Sequence, residues 1–257
     1  MLTFKNTTLF FGLMLIALIA VDIYFHVSWV VYFTMILLYS LLLFYGSAYV
    51  ASGFYMKVIS RGATGLNQIA ISFDDGPADQ FTGKILDLLA EQDVPAAFFC
   101  IGKNIEGREE IIRRLVSSGH IIGNHSYGHH FWFDMYGATK MTADLQQMSK
   151  AVQDVTGLRP RLFRPPYGVT NPNLAKAVRD TDLVAVGWNI RSMDTVIKDP
   201  EKLLVKVRKA VKPGAIILFH DTSEATFLML KAFIEGVREQ GYELVRLDKL
   251  INTAPYE

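Results

Sequence analysis

The chain has 257 residues, 26 basic and 25 acidic side chains giving a net charge of +1, and a single cysteine. Near-neutral charge without a long Lys/Arg run argues against a nucleic-acid partner, and this composition excludes a disordered chain, a collagen and a disulfide scaffold. A mean hydropathy of +0.23 is nevertheless too high for an ordinary soluble domain.

The apolar excess lies at the N-terminus. Residues 1–56 hold only two charged side chains, Lys5 and Asp22, which leaves 49 of the 51 for residues 57–257. Leu9 to Val21 is continuously apolar and is followed by Asp22 and His26. Trp29 to Val50 contains no charge over a length that, at the helical rise, crosses a hydrocarbon core of ~30 Å. Trp29, Tyr32, Tyr45 and Tyr49 lie towards the ends of this run, where amphipathic rings favour the membrane interface. The pair reads as a transmembrane hairpin, with helices over 7–25 and 29–50 forming an anchor of residues 1–52. A re-entrant segment and a cleaved signal peptide compete for the first run, but the second of these lacks a small-x-small cleavage site before a polar mature start. Lys5 precedes the first run, and Lys57 and Arg61 follow the second. The positive-inside rule then puts the N-terminus and the large domain on the cytoplasmic side of a bacterial inner membrane.

Gly53 to Asn67 lacks helical or strand periodicity, so residues 53–66 read as a linker before a domain of residues 67–257. Short β-rich runs then alternate with longer amphipathic ones. Strands are expected at Gln68 to Asp74, Ala96 to Ile101, His120 to Asn124, Leu162 to Pro165, Leu183 to Trp188, Ala215 to His220 and Glu243 to Leu247. Helices are expected at Thr82 to Gln92, Glu106 to Ser118, Thr142 to Thr156, Asn173 to Asp180, Pro200 to Val211 and Ser223 to Gln240. Such alternation argues for parallel strands covered by helices, in a barrel or a doubly wound sheet.

The unusual polar groups collect at the C-terminal ends of these strands, the rim where parallel barrels build sites. His125 and His129, in His-Ser-Tyr-Gly-His, can aim two imidazoles at one ion if the segment turns helically, and Asp75 would add a carboxylate. Two His and one carboxylate with a position left for water make up a catalytic zinc site, and cobalt or nickel would also fit. Surface histidines are the bland alternative. Asp74 and Asp75 in Ser-Phe-Asp-Asp-Gly-Pro are costly to bury without a cation or basic partner, although Asp-Gly-Pro also makes a good solvated turn. Arg164 opens Arg-Pro-Pro-Tyr-Gly, a rigid turn that could fix a backbone N–H towards an oxyanion, or simply a proline-rich loop. His220 ends an apolar strand, where a general acid could sit, or a satisfied rim histidine.

In this order and spacing, the four segments resemble the polysaccharide deacetylase family, also called carbohydrate esterase family 4 or the NodB-homology domain, over roughly Asn67 to Leu247. The resemblance implies a deformed (β/α) barrel of seven parallel strands. It implies that Asp75, His125 and His129 bind a divalent metal, that Asp74 is the catalytic base, that Arg164 holds Asp74 ionised, that the Tyr167 backbone N–H helps to stabilise the oxyanion, and that His220 protonates the leaving amine. The expected reaction removes an N-acyl group, typically acetyl, from an amino sugar in a glycan or a lipid-linked glycan. The family's Asp-x-x-Asp-Trp segment reads Arg191-Ser192-Met193-Asp194-Thr195 here. Asp194 fits the second carboxylate, which tunes the histidine, whereas Arg191 and Thr195 depart, so the reaction type carries across and polymer specificity does not. A catalytically silent glycan-binding protein, or a hydrolase of another amide, are the competing readings.

Overall fold

The computed structural model describes residues 2–257. Two long apolar helices come first, α1 (Phe4–Phe25) and α2 (Trp29–Ala48), each long and apolar enough to cross a membrane. They pack against each other, with Thr8 Oγ1 2.9 Å from Tyr39 Oη and the Phe11 and Tyr39 rings in contact. The one acid in the pair is absorbed by the turn: the Asp22 carboxylate accepts from Val27 N–H and from the Tyr32 hydroxyl.

The second unit alternates strand and helix as its periodicity predicts. In order come β1 (Gln68–Asp74), α3 (Thr82–Glu91), β2 (Ala97–Cys100), α4 (Glu109–Ser117), β3 (Ile121–Asn124), α5 (Ala138–Thr156), β4 (Leu162–Phe163) and α6 (Pro172–Asp180). There follow β5 (Val184–Ala185), β6 (Ile190–Arg191), α7 (Pro200–Ala210), β7 (Ile216–His220), α8 (Glu224–Glu239), β8 (Glu243–Leu244) and α9 (Leu247–Ile251). Seven strands run parallel in the order β5-β4-β3-β2-β1-β7-β6, and β8 pairs with the start of β1. The result is the curled, incompletely closed barrel that the resemblance implies.

One expected strand behaves differently. Leu183 to Trp188 is not continuous: β5 pairs with β4 at one edge of the sheet, whereas β6, only a few residues later, pairs with β7 at the other. Residues 186–189 therefore cross the open seam. Ile59 bridges to Val186 and Arg61 to Ala215, so part of the stretch read as a linker is laid against both sides of that seam. Leu247–Ile251 is a helix where a strand end was expected at Leu247, and it brings Leu247 and Leu250 into the cluster with Ala70, Phe99 and Ile216.

The strands are apolar on both faces because both are covered. On β1, Ile69, Ile71 and Phe73 pack in the cluster shared with α3, α7 and α8, while Ala70 belongs to the other cluster. With a side-chain period of two, Ser72 and Asp74 fall on the same side as Ala70, the barrel interior. His220 on β7 is the direct register partner of Asp74.

Candidate active site

A cleft of ≈ 210 Å³ opens at the C-terminal ends of β1, β3, β4 and β7, and Asp74, Asp75, His125, His129, Tyr167 and His220 all line it. Arg164 lies fully buried beneath its floor and Asp194 beneath its wall. All eight residues singled out from the sequence thus converge on one place.

The floor is built on Arg164. Its guanidinium donates to Asp74 Oδ1 at 2.7 Å and to Ser72 Oγ at 2.8 Å, and also to the carbonyls of Gly187 at 3.0 Å and Val186 at 3.3 Å. The seam-crossing segment therefore supplies acceptors that share a buried cation, which also stacks 4.0 Å from the centre of the Phe99 ring. Burial lowers the Arg164 pKa and the Asp74 charge opposes that. Removing either partner alone would leave a buried unpaired charge, at a cost of about 3–5 kcal/mol.

The histidine segment is not helical. Ser126 and His129 both have positive φ, 65° and 41°, so residues 125–129 form a tight non-helical turn. Asn124 Oδ1 accepts from Ser126 N–H, Ser126 Oγ accepts from His129 N–H, and Asp144 on α5 accepts from Tyr127 and Gly128 N–H. The expectation of a helical turn is thus corrected: short polar side chains, favourable to turns, outcompete helix formation here. The imidazoles still converge, with ring centres 4.8 Å apart.

His125 Nδ1 is 2.8 Å from the Arg164 carbonyl, which leaves its Nε2 facing inward. That Nε2 and the Nε2 of His129 each lie 3.5 Å from Asp75 Oδ1. Donors held at roughly 2.1 Å around a tetrahedral cation sit about 3.4 Å apart, so the trio's spacing and its His2Asp chemistry suit a divalent ion of the zinc type. All three donor atoms lie within 4.8 Å of one another. Burial alone would raise the Asp75 pKa, but His125, His220 and His129 together hold it well below the usual carboxylate range. Burial and the neighbouring His125 push His129 down to about 4, which leaves its ring neutral and able to ligate near pH 7.

Across the cleft, His220 Nδ1 pairs with Asp194 Oδ1 at 2.7 Å, while Asp194 Oδ2 accepts from His220 N–H at 2.7 Å and from Thr226 Oγ1 at 2.6 Å. Burial would lower the His220 pKa, but the Asp194 hydrogen bond and charge outweigh it and raise it. Its Nε2 points towards Asp75, 3.9 Å from Oδ2.

On the third side, Tyr167 sits at φ 59°, ψ 0°, an uncommon conformation for a residue other than glycine, and the preceding Pro165 and Pro166 restrict the chain that enters it. Gly168 follows at φ 73°, and a Cβ there would meet the Trp188 ring at 2.6 Å. Arg191 and Thr195, the two departures from the family pattern, both line the cleft.

Ser72, Asp144 and Thr226 support the site and carry no sequence signal, because each acts through a partner distant in the chain. Asp221 is a further case. Burial and the Asp75 charge, eased by a hydrogen bond from Thr82, raise its pKa to about 7. It lies under the Asp75 turn so closely that a Cβ on Gly76 would meet its Oδ2 at 2.0 Å.

The family described as Polysaccharide deacetylase matches residues 61–186. A chitooligosaccharide deacetylase of Sinorhizobium fredii is 33% identical, over 65% of this chain and 78% of the relative. The peptidoglycan-N-acetylglucosamine deacetylase PgdA of Listeria monocytogenes is 31% identical over 71% of this chain, and the match spans only 38% of that longer protein. The crystal structure of the Bc1960 peptidoglycan N-acetylglucosamine deacetylase superposes with a TM-score of 0.74 at 26% identity, covering 78% of this chain and 95% of the other. The curled barrel with its rim of carboxylates and histidines is that of a carbohydrate esterase domain. The chain belongs to the polysaccharide deacetylase family.

Proposed function

We propose that this protein is a membrane-anchored, metal-dependent hydrolase that removes the N-acetyl group from an amino sugar. The observation that carries this reading is the arrangement of three chemically distinct sets around one cleft: Asp74 on Arg164, the Asp75–His125–His129 trio, and His220 on Asp194. Family membership and the deacetylases among its relatives support the same reaction class.

Asp75, His125 and His129 would hold a divalent cation, most simply Zn2+, with Co2+ or Ni2+ also compatible with the donors. When bound, such an ion supplies a Lewis acid that polarises the amide carbonyl and makes a water more acidic. Asp74, held by Arg164, takes a proton from the attacking water as its oxygen bonds to the acyl carbon. The Tyr167 backbone N–H, fixed in the Pro165–Pro166–Tyr167–Gly168 turn, donates to the oxygen on which negative charge develops. His220, whose protonated form Asp194 favours, delivers its proton to the nitrogen as the carbon–nitrogen bond breaks. The products are a free amino sugar and acetate.

The two N-terminal helices support an anchor, and Lys5, Lys57 and Arg61 favour a cytoplasmic site. A silent binding protein on this fold would be expected to have lost at least one of the base, ligands, arginine or acid, and all are present. The test is acetate release from N-acetylated chitotriose, the trimer of N-acetylglucosamine, by the purified full-length chain loaded with zinc. Release abolished by Asp74→Asn, with bound metal retained, supports the roles above. Turnover that survives Asp74→Asn undiminished would falsify the assigned base.

A further inference from the structure

The ends of the apolar helices and the mouth of the cleft are physically joined. The carbonyls of Gly46 and Ser47, in the last turn of α2, accept from Thr170 Oγ1 at 3.0 Å and Thr170 N–H at 3.2 Å. Thr170 lies three residues beyond Tyr167. Phe54 packs against Gly46 so closely that a Cβ there would meet its ring at 2.2 Å, and Val50, buried, lies against Gly187. The next residue, Asn171, donates through Nδ2 to the carbonyl of Asp134 at 2.7 Å, which ties the loop of residues 131–135 to the same end of α2. On α2 itself Tyr45 and Tyr49 are exposed and in ring contact, the aromatic pattern of a membrane–water boundary.

Next to that tie the loop presents Phe131, Trp132 and Met135, which are 68%, 58% and 73% exposed. Three large apolar side chains left uncovered on five residues beside a polar cleft mark a contact surface. Their geometry separates two occupants. Sugar rings stacked along the loop would need aromatic faces sharing a plane, whereas Phe131 meets Trp132 at 80° and Tyr167 at 69°, edge to face, and Met135 offers no flat face. A lipid interface has no such requirement and takes Trp and Phe readily.

We propose that the 131–135 loop dips into the bilayer interface beside the helix ends, so that the cleft opens onto the membrane surface and takes an N-acetylated amino sugar carried on a lipid. This rests on the reading of α1 and α2 as an uncleaved membrane hairpin and of the cleft as a deacetylase site.

The full-length chain in phosphatidylcholine liposomes provides the test. Resistance of the protein to alkaline carbonate extraction checks the hairpin first; extraction would remove that reading and this proposal with it. An environment-sensitive fluorophore on Trp132→Cys, in a Cys100→Ala background, should be quenched by lipids carrying a nitroxide near the headgroup, and this readout does not depend on turnover. A fluorophore quenched only by aqueous iodide overturns the proposal. The triple variant Phe131→Ser, Trp132→Ser, Met135→Ser should lose about tenfold or more in kcat/KM on N-acetylglucosamine linked to a dialkylglycerol in liposomes, with chitotriose hydrolysis unchanged. An equal loss on both substrates would make the loop a sugar platform, and no loss on either would make it inert; both results overturn the proposal.

Discussion

The floor of the cleft and its rim obey different rules. On the floor the buried charges are paired: Arg164 reaches Asp74, Ser72, Val186 and Gly187, and Asp194 reaches His220 twice and Thr226. On the rim Arg191 and Thr195 replace the residues that the family pattern would put there, and Phe131, Trp132 and Met135 stand exposed beside it. A buried network tolerates little change, because one missing member leaves a desolvated charge. An exposed rim is free to vary with the substrate. Under the proposed function, the floor carries most of the chemistry, and Arg191 and Thr195 on the rim bear on the choice of glycan.

Substitutions can break this contrast at graded depths. The largest effect is expected of His125→Ala, which removes a proposed metal donor and the partner of the Arg164 carbonyl; metal analysis should find the ion lost, and turnover with it. Chelator treatment of the native chain should do the same and be reversed by added zinc. Asp74→Asn keeps the shape and an acceptor for Arg164 but removes the proposed base. It should lower kcat by about 10²–10⁴-fold with the metal content retained, and lower the thermal transition by several degrees because the buried Arg164 loses its counter-charge.

Asp194→Asn is expected to act through His220. A general acid works while protonated, so activity falls as pH rises through its pKa. Asp194 raises that pKa, and its loss should move the basic limb of the kcat profile to lower pH as well as reduce kcat at neutral pH. Ser72→Ala, which leaves Arg164 with one partner fewer, should destabilise the fold by about 1–3 kcal/mol with a small effect on kcat, as a chemical denaturation curve can measure. The smallest expected change is on the rim: Arg191→Ala should alter KM for chitotriose while leaving kcat nearly constant. A large kcat effect there would dissolve the distinction between floor and rim.

Much of this was legible in the chain. Alternating apolar runs located the β1, β2, β3 and β7 strands to within a residue or two, because strands covered on both faces must be apolar on both. The acids and histidines stood out as costly groups at the ends of those runs. Less was legible where partners are remote. Nothing local marks Asp144 as the acceptor that shapes the histidine turn, or Thr226 as the support of Asp194, since those contacts span 16 or 17 and 32 residues. The break between β5 and β6 escaped notice because Leu183 to Trp188 has the composition of one strand, and only closure of the sheet sends its two ends to opposite edges.

Composition and pattern alone determined that an apolar N-terminal pair precedes an α/β domain, and the motifs, with the family they resemble, pointed to the eight residues that gather at its cleft. These are properties of hydrophobic periodicity and of side-chain chemistry, which are written locally. The tertiary structure decided what depends on distant contacts: that the histidine segment is a turn, that segment 57–61 lies along the seam, and that Thr170 ties the cleft's rim to the end of α2. Such features arise from hydrogen bonds between groups far apart in the chain, and a backbone carbonyl such as those of Gly46 and Ser47 has no residue-specific signature until the fold brings its donor to it.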